Sequence, residues 1–251
     1  MLLRRFTQHV KEQNWFVVGL DVLVVITGIF LGMQVTEWNQ SLKDQHLEQQ
    51  YLQRLLNDAE RSIAHQNSVI KGTKSRIVNM SMARKMLFDK TISKENLSEF
   101  VADLMNVYPW LTTEFYFDTL DELYSSGRST LIAKEKTREI ISRFRTEAKI
   151  NLEAQKNVGA VISGLYAELN HLFVWSPDGN LVNSVEELNS SRAIYQAIDA
   201  LVGTQSRLVN YGFEMHELTV KFRGDIQAAL TPCSTVKDTQ SKVPESECEI
   251  N

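Results

Sequence analysis

Residues 15–35, WFVVGLDVLVVITGIFLGMQV, decide the architecture of this chain. From Phe16 to Met33 every position is apolar except Gly19, Asp21, Thr27, Gly28 and Gly32. A helix rises about 1.5 Å per residue, so about 20 such residues cross a hydrocarbon core roughly 30 Å thick. Trp15 and Trp38 flank the run, where amphipathic rings favour the headgroup level. A soluble helix this apolar on all sides needs a large protein wrapped around it, and no other segment is apolar enough to do the wrapping. The stretch therefore predicts one transmembrane helix over 15–36, with Trp15 and Trp38 as interface anchors.

One face of that helix differs from the rest. At about 100° per residue, Asp21, Val25, Gly28, Gly32 and Asn39 fall in one narrow stripe. Gly28-x-x-x-Gly32 lets two helix backbones approach closely. A carboxylate inside the bilayer costs at least about 2.5 kcal/mol on the insertion scale, which favours a partner or a wet cavity for Asp21. Asp21, Val25, Gly28 and Gly32 are the candidate contact with a partner helix, from a membrane protein or from a second copy.

The flanks set orientation. Residues 1–14 carry Arg4, Arg5 and Lys11, whereas the next twenty or so residues after the helix carry only Lys43 and Arg54. Lys and Arg prefer the cytoplasmic side, so 1–14 is expected to be a cytoplasmic tail and the remainder periplasmic. The apolar run exceeds that of a cleaved signal peptide, and GMQVTEWNQ offers no small-x-small site, so an uncleaved signal anchor is expected.

The 251 residues carry a net charge of −4, 43% hydrophobic residues and only four prolines. About 190 residues remain after the membrane helix and the tails, enough for one domain. Mild acidity argues against a nucleic-acid binder, which normally shows a basic face. Both cysteines, Cys233 and Cys248, sit in the polar tail 231–251, which is expected to be disordered. In an oxidising compartment they could pair, closing a loop of about 16 residues for roughly 3 kcal/mol in the chain-entropy model.

Past Trp38 the pattern stays helical. Leu52, Leu56, Ala59, Ile63, Gln66, Ile70, Thr73, Ile77, Met80 and Leu87 follow heptad-like steps of three and four, diluted by Gln66, Thr73 and Arg84. That dilution favours one arm of a packed bundle over a long coiled coil. Ser93 is the expected N-cap of a short helix with Leu97, Phe100, Val101 and Leu104. An aromatic-rich helix, EFYFDTLDELYSS, is expected to stop at Gly127. A long helix is expected over about 134–175, with Val161 among its core residues. The turn SPDGN follows at 176–180. Another long helix is expected over about 185–230, with Phe213 in its core. No period-two strand is legible. The fold class is all-α: one N-terminal transmembrane helix followed by an antiparallel helical bundle of long helices over 37–230.

Chemistry is sparse. Glu168-x-x-His171 matches half of a di-iron bundle motif, which needs a second such unit and two further glutamates on facing helices, and the sequence has no second copy of the unit. No Gly-rich phosphate loop, CxxC pair or G-x-S-x-G elbow occurs. No catalytic residue, cofactor or metal is expected.

The patches WF-x4-D-x-L-V-V-x2-G-I-F-L-G-x-Q-V, the following Trp38–Asn39 with YLQRLLNDAE, and TLDELYSSG…LI resemble a family of uncharacterised bacterial single-pass membrane proteins. The resemblance implies a membrane location; members of that family have no assigned activity, so it supplies a place and not a function. The L-D-V-L-V-V run is also similar to the aspartate-bearing helix of ion-driven stator subunits of the MotB, ExbD and TolR type. That likeness implies an alternative role for Asp21 as a proton carrier, although no peptidoglycan-binding module follows. The expected function is interaction, as a scaffold, accessory subunit or sensor-like module. A membrane-tethered helical enzyme has no residues to support it.

Overall fold

The computed structural model describes residues 15–105 and 111–231, with the backbone alone at 15–19, 21 and 105. The described residues are helical apart from turns, short stretches without regular structure, of which 111–117 is the longest, and a single isolated bridge, Trp175 to Leu181. The elements are α1 (Trp15–Asp89), α2 (Leu97–Met105), α3 (Asp118–Ser125), a 3-10 turn (Arg128–Leu131), α4 (Glu135–Leu172), α5 (Val185–Ser190) and α6 (Arg192–Leu230). The chain divides into two units, Met1–Gln50 and Tyr51–Asn251.

In the first unit, the apolar part of α1 is unpacked. An 18-residue window of mean hydropathy 1.4 has none of its residues buried. From Leu20 to Val35 the large apolar side chains are 51% to 62% exposed. It is the one helix among the described residues that is long and apolar enough to cross a membrane. The two hydroxyls within or beside it are satisfied locally, Thr27 donating to the Leu23 carbonyl and Thr36 to that of Gly32.

In the second unit, α1 stays helical because no proline interrupts it. Its expected seam is the face that packs: Leu52, Ala59, Gln66, Ile70, Thr73, Met80 and Leu87 are buried. The helix ends at Lys90, which takes φ 54°, a left-handed value usually left to glycine. Lys90 N–H bonds the Leu87 carbonyl and Thr91 N–H that of Met86, the two hydrogen bonds of a Schellman stop.

Four boundary or burial expectations need correction. The N-cap of α2 is Asn96 rather than Ser93. Asn96 contributes the carbonyl that Phe100 N–H bonds, while its side chain turns back to Ser93 N–H and the Thr91 carbonyl. Residues 114–117 of the aromatic segment precede α3 and are not helical. The helix expected over 185–230 is two helices broken at Ser191. The Ser184–Glu187 capping box starts α5, and the Ser191 hydroxyl accepts Ile194 N–H to start α6. Val161 and Phe213 lie on the surface, and the Lys74 ammonium sits 4.4 Å above the Phe213 ring. As expected, Gly127 follows α3 with φ 69°, and 176–180 forms a tight turn with Gly179 at φ 79°.

α4 and α6 form the most extensive helix–helix contact. Phe144 stacks on Phe222 at 3.9 Å, and one turn pair further along α4 Asn151 reaches the carbonyl of Tyr211. Along α1, Gln66 meets Thr219 of α6 and Arg84 meets Asp199. The interior contains two apolar clusters. One gathers Tyr51, Leu52, Leu55, Ala59, Phe115, Leu120, Phe144, Met215, Phe222 and Ile226. The other gathers Met80, Leu87, Phe100, Ile162, Leu169, Leu188, Ile198 and Leu201.

Candidate functional site

Between those clusters lies a polar belt. On α4, Asn151 and Gln155 separate Ala148 of one cluster from Val158 of the other, and all of these are buried. On α1, Ser62, Gln66 and Thr73 hold the same middle ground, and α6 contributes Gly212 and Thr219 beside it. A buried amide without a partner costs about 1–3 kcal/mol, so this polarity needs something to bond. The partner is a strap, the stretch 111–117 without regular secondary structure that leads into α3.

The strap is held by its backbone. Gln155 uses both ends of its amide on Thr113: Oε1 accepts Thr113 N–H at 2.7 Å and Nε2 donates to the Thr113 carbonyl at 3.3 Å. Gln66 Nε2 donates to the Glu114 carbonyl at 3.1 Å and to the Thr219 hydroxyl at 3.0 Å. Ser62 Oγ accepts Tyr116 N–H at 3.0 Å, and Asp58 Oδ2 receives Thr119 N–H at 3.4 Å. Asp58, Ser62 and Gln66 are spaced one helical turn apart, so a single stripe of α1 reads successive main-chain groups. The amide of Gln155 is steadied in turn by Asn151 Oδ1 at 2.7 Å.

Side chains of the strap fit shaped places. Phe115 is buried edge-on to Phe144 and Phe222, with ring centroids 4.7 and 5.9 Å apart. Thr113 lies against Gly212, where an added Cβ would stand 3.1 Å from the Thr113 methyl and 3.4 Å from Ile70 Cγ1. Any side chain there would press on Thr113 and Ile70, so glycine is favoured by close approach and not by backbone conformation. Tyr116 lies under the Arg61 guanidinium at 4.5 Å, with the His65 ring 6.1 Å away.

A second group is ionic. Glu122 of α3 accepts from Arg54 and from the Tyr51 hydroxyl, and Arg128 donates to that same hydroxyl. The Arg54 guanidinium, with Tyr51 behind it, holds the Glu122 carboxyl down to about 2. Both charged partners are well exposed, so the cluster ties α3 to α1 without building a desolvated reactive centre.

The predicted site residues fall differently. Val25 and Trp38 project from α1 at 59% and 68% exposure, and Gly28 and Gly32 have nothing within 4 Å of where a Cβ would stand. Trp15 and Asp21 lie in the helix, but their side chains are outside the described residues, as are Cys233 and Cys248. The strap and its amides were not foreseen; Gln66 and Thr73 falling on an apolar seam were the signal. Among the described residues no group of three or more His, Cys, Asp or Glu is placed to hold a metal. The cavity lined by Val101, Leu104, Tyr166, Leu169, Phe173 and Trp175 encloses about 10 Å³, space for one water and no substrate. No family model, curated protein or solved structure matches the chain.

Proposed function

We propose that the chain is a membrane-anchored helical interaction protein that acts through a membrane partner. In this reading residues 15–36 cross a bacterial inner membrane, 1–14 lie in the cytoplasm, and 37–230 form an antiparallel helical bundle in the periplasm. The observation that carries it is the unburied apolar surface of α1 from Leu20 to Val35. A surface that apolar on every side is far larger than water tolerates on a soluble monomer, and a bilayer removes it from water. The bundle is supported by the order of contacts: partners on α6 run backwards as one moves forward along α4 or along α1. Interaction rather than catalysis is supported by buried polar groups that are occupied in holding the strap.

Orientation is tested by a reporter. An alkaline phosphatase fused after Leu230 should be active, because that enzyme folds only in the periplasm. Activity confined to a cytoplasm-dependent reporter at the same place would reverse the orientation.

The contact face is tested in the membrane. Gly28 and Gly32 leave open space for a neighbouring backbone. Gly28→Leu should cut the cross-linked complex recovered from membranes several-fold. Asp21→Asn should leave it largely intact, since an amide still hydrogen-bonds between helices. Intact assembly with lost cellular function in Asp21→Asn would favour the proton-carrying alternative. Equal recovery for Gly28→Leu would remove the glycine face as the contact.

A further inference from the structure

Past the apolar stretch, α1 runs on through 36–50 as a helix whose side chains are exposed or half-buried, ahead of Tyr51, the first buried residue among those described. The residues of this stalk are sorted by face. Val35, Asn39, Leu42, His46 and Gln49 follow steps of four and three, and all five are exposed. At about 100° per residue, the three carboxylates of the segment, Glu37, Asp44 and Glu48, fall on the opposite side of the helix. The half-buried positions, Asp44, Leu47 and Glu48, lie on that outer side too, where Asp44 also accepts the Gln40 amide at 2.9 Å.

The exposed stripe complements itself. Steps of four and three make the seam of a two-helix coiled coil, with Asn39 and His46 at one class of core position and Val35, Leu42 and Gln49 at the other. In a parallel pair the flanks bring Lys43 of one copy to Trp38 of the other, an ammonium against an indole ring, and Gln45 to Gln50. No carboxylate stands on the seam or its flanks, and the two Lys43 fall on opposite sides of the pair. Asn39 is self-complementary as well: its amide holds donors and an acceptor, and the same amide from a second copy returns both. One asparagine at such a core position fixes two strands in a single register.

We propose that α1 pairs with α1 of a second copy, parallel and in register, along Val35, Asn39, Leu42, His46 and Gln49. The same steps run back through Gly32, Gly28, Val25 and Asp21, and α1 is unbroken between them. The stalk therefore continues the contact face of the membrane stretch, and the partner of that face is this chain itself. The inference rests on the proposed membrane anchoring, which sets the copies parallel and concentrates them. That concentration is needed, because Val35 and Leu42 are the only large apolar residues of the stalk seam.

The test uses the full chain in membranes, carrying Cys233→Ser and Cys248→Ser, with one cysteine at a time placed along the stalk and copper phenanthroline as oxidant. Leu42→Cys and Gln49→Cys should give disulfide homodimers at least tenfold above Gln40→Cys and Asp44→Cys on the outer side. Adding Asn39→Asp to Leu42→Cys sets two carboxylates against each other and should cut that homodimer several-fold, whereas adding Gln40→Asp should not. Uniform yields, or a maximum at Asp44→Cys, would overturn the pairing. Cross-linking of Leu42→Cys to a protein of different mass in place of the homodimer would overturn the second copy as the occupant. Indifference to Asn39→Asp would overturn the register. Alkaline carbonate extraction of the same samples reports anchoring independently. A chain retained in the membrane without a seam-specific homodimer rejects the pairing alone, and a chain released by carbonate yet still linked at Leu42→Cys rejects the anchoring alone.

Discussion

Replacing Phe222 by alanine is expected to cost about 3–5 kcal/mol of stability, the usual range for a fully buried aromatic truncated in a core. The ring is 2% exposed and stacks on Phe144 at 3.9 Å with an 8° tilt between planes. It also meets the edge of Phe115, so its loss opens a void between α4, α6 and the strap at once. Those three cannot all move inward, because Phe144 and Phe115 are fixed by their own backbones. For a domain of this size each kcal/mol shifts the midpoint by about 2–4 °C, so a drop of roughly 6–20 °C should appear in a circular-dichroism melt of the detergent-solubilised chain. A shift under about 3 °C would mean the cluster collapses around the gap and the stack is not a keystone of the domain.

Gln155→Leu is expected to be nearly as damaging, for a different reason. Leucine fills a similar volume but leaves Thr113 N–H and C=O without their partner inside the protein. Each orphaned group costs about 1–3 kcal/mol, so the pair predicts roughly 2–6 kcal/mol. Gln66→Leu should cost less. Its Oε1 bonds nothing that would be lost, and the Thr219 hydroxyl keeps its own bond to the Met215 carbonyl. Urea titrations of both variants give the comparison through their midpoints. If the two prove equal, water must reach the strap, and the belt is not as dry as its burial suggests.

The second effect arises where the sequence was least readable. Apolar spacing located the long helices because burial imposes a period of about 3.6, and Leu52, Ala59, Ile70 and Met80 obey it. The membrane stretch was legible for the simpler reason that it is apolar on all sides. Helix interruptions at Ser191 and before Asp118 were not, since they depend on which carbonyl finds a partner across the domain. EFYF has the composition of a helix start, and side chains from elsewhere in the chain, the amides of Gln66 and Gln155 about 40–50 residues away among them, bond the backbone of a non-helical path there. Gln66 and Thr73 were noticed as faults in a hydrophobic seam. They are better understood as the places where the seam turns to face backbone. Phe213 and Val161 were assigned inward by period alone, which does not say how wide the buried face is.

The polar belt has a consequence for alignment. Leu, Ile, Met and Ala repeated every three or four residues leave a helix nearly indifferent to sliding by a turn or a heptad against its neighbours. The rungs at Asp58, Ser62 and Gln66 are not interchangeable: a carboxylate, a hydroxyl and an amide each meet a different main-chain group. A slip of one turn would set the short Ser62 side chain where the longer Gln66 amide now reaches the Glu114 carbonyl, leaving that carbonyl without its partner. One buried polar residue is known to fix register in helical assemblies at some expense of stability, and here three successive turns of α1 do so. The belt thus acts as a key that admits a single alignment of α1, allowing the apolar clusters on either side to stay repetitive without becoming ambiguous.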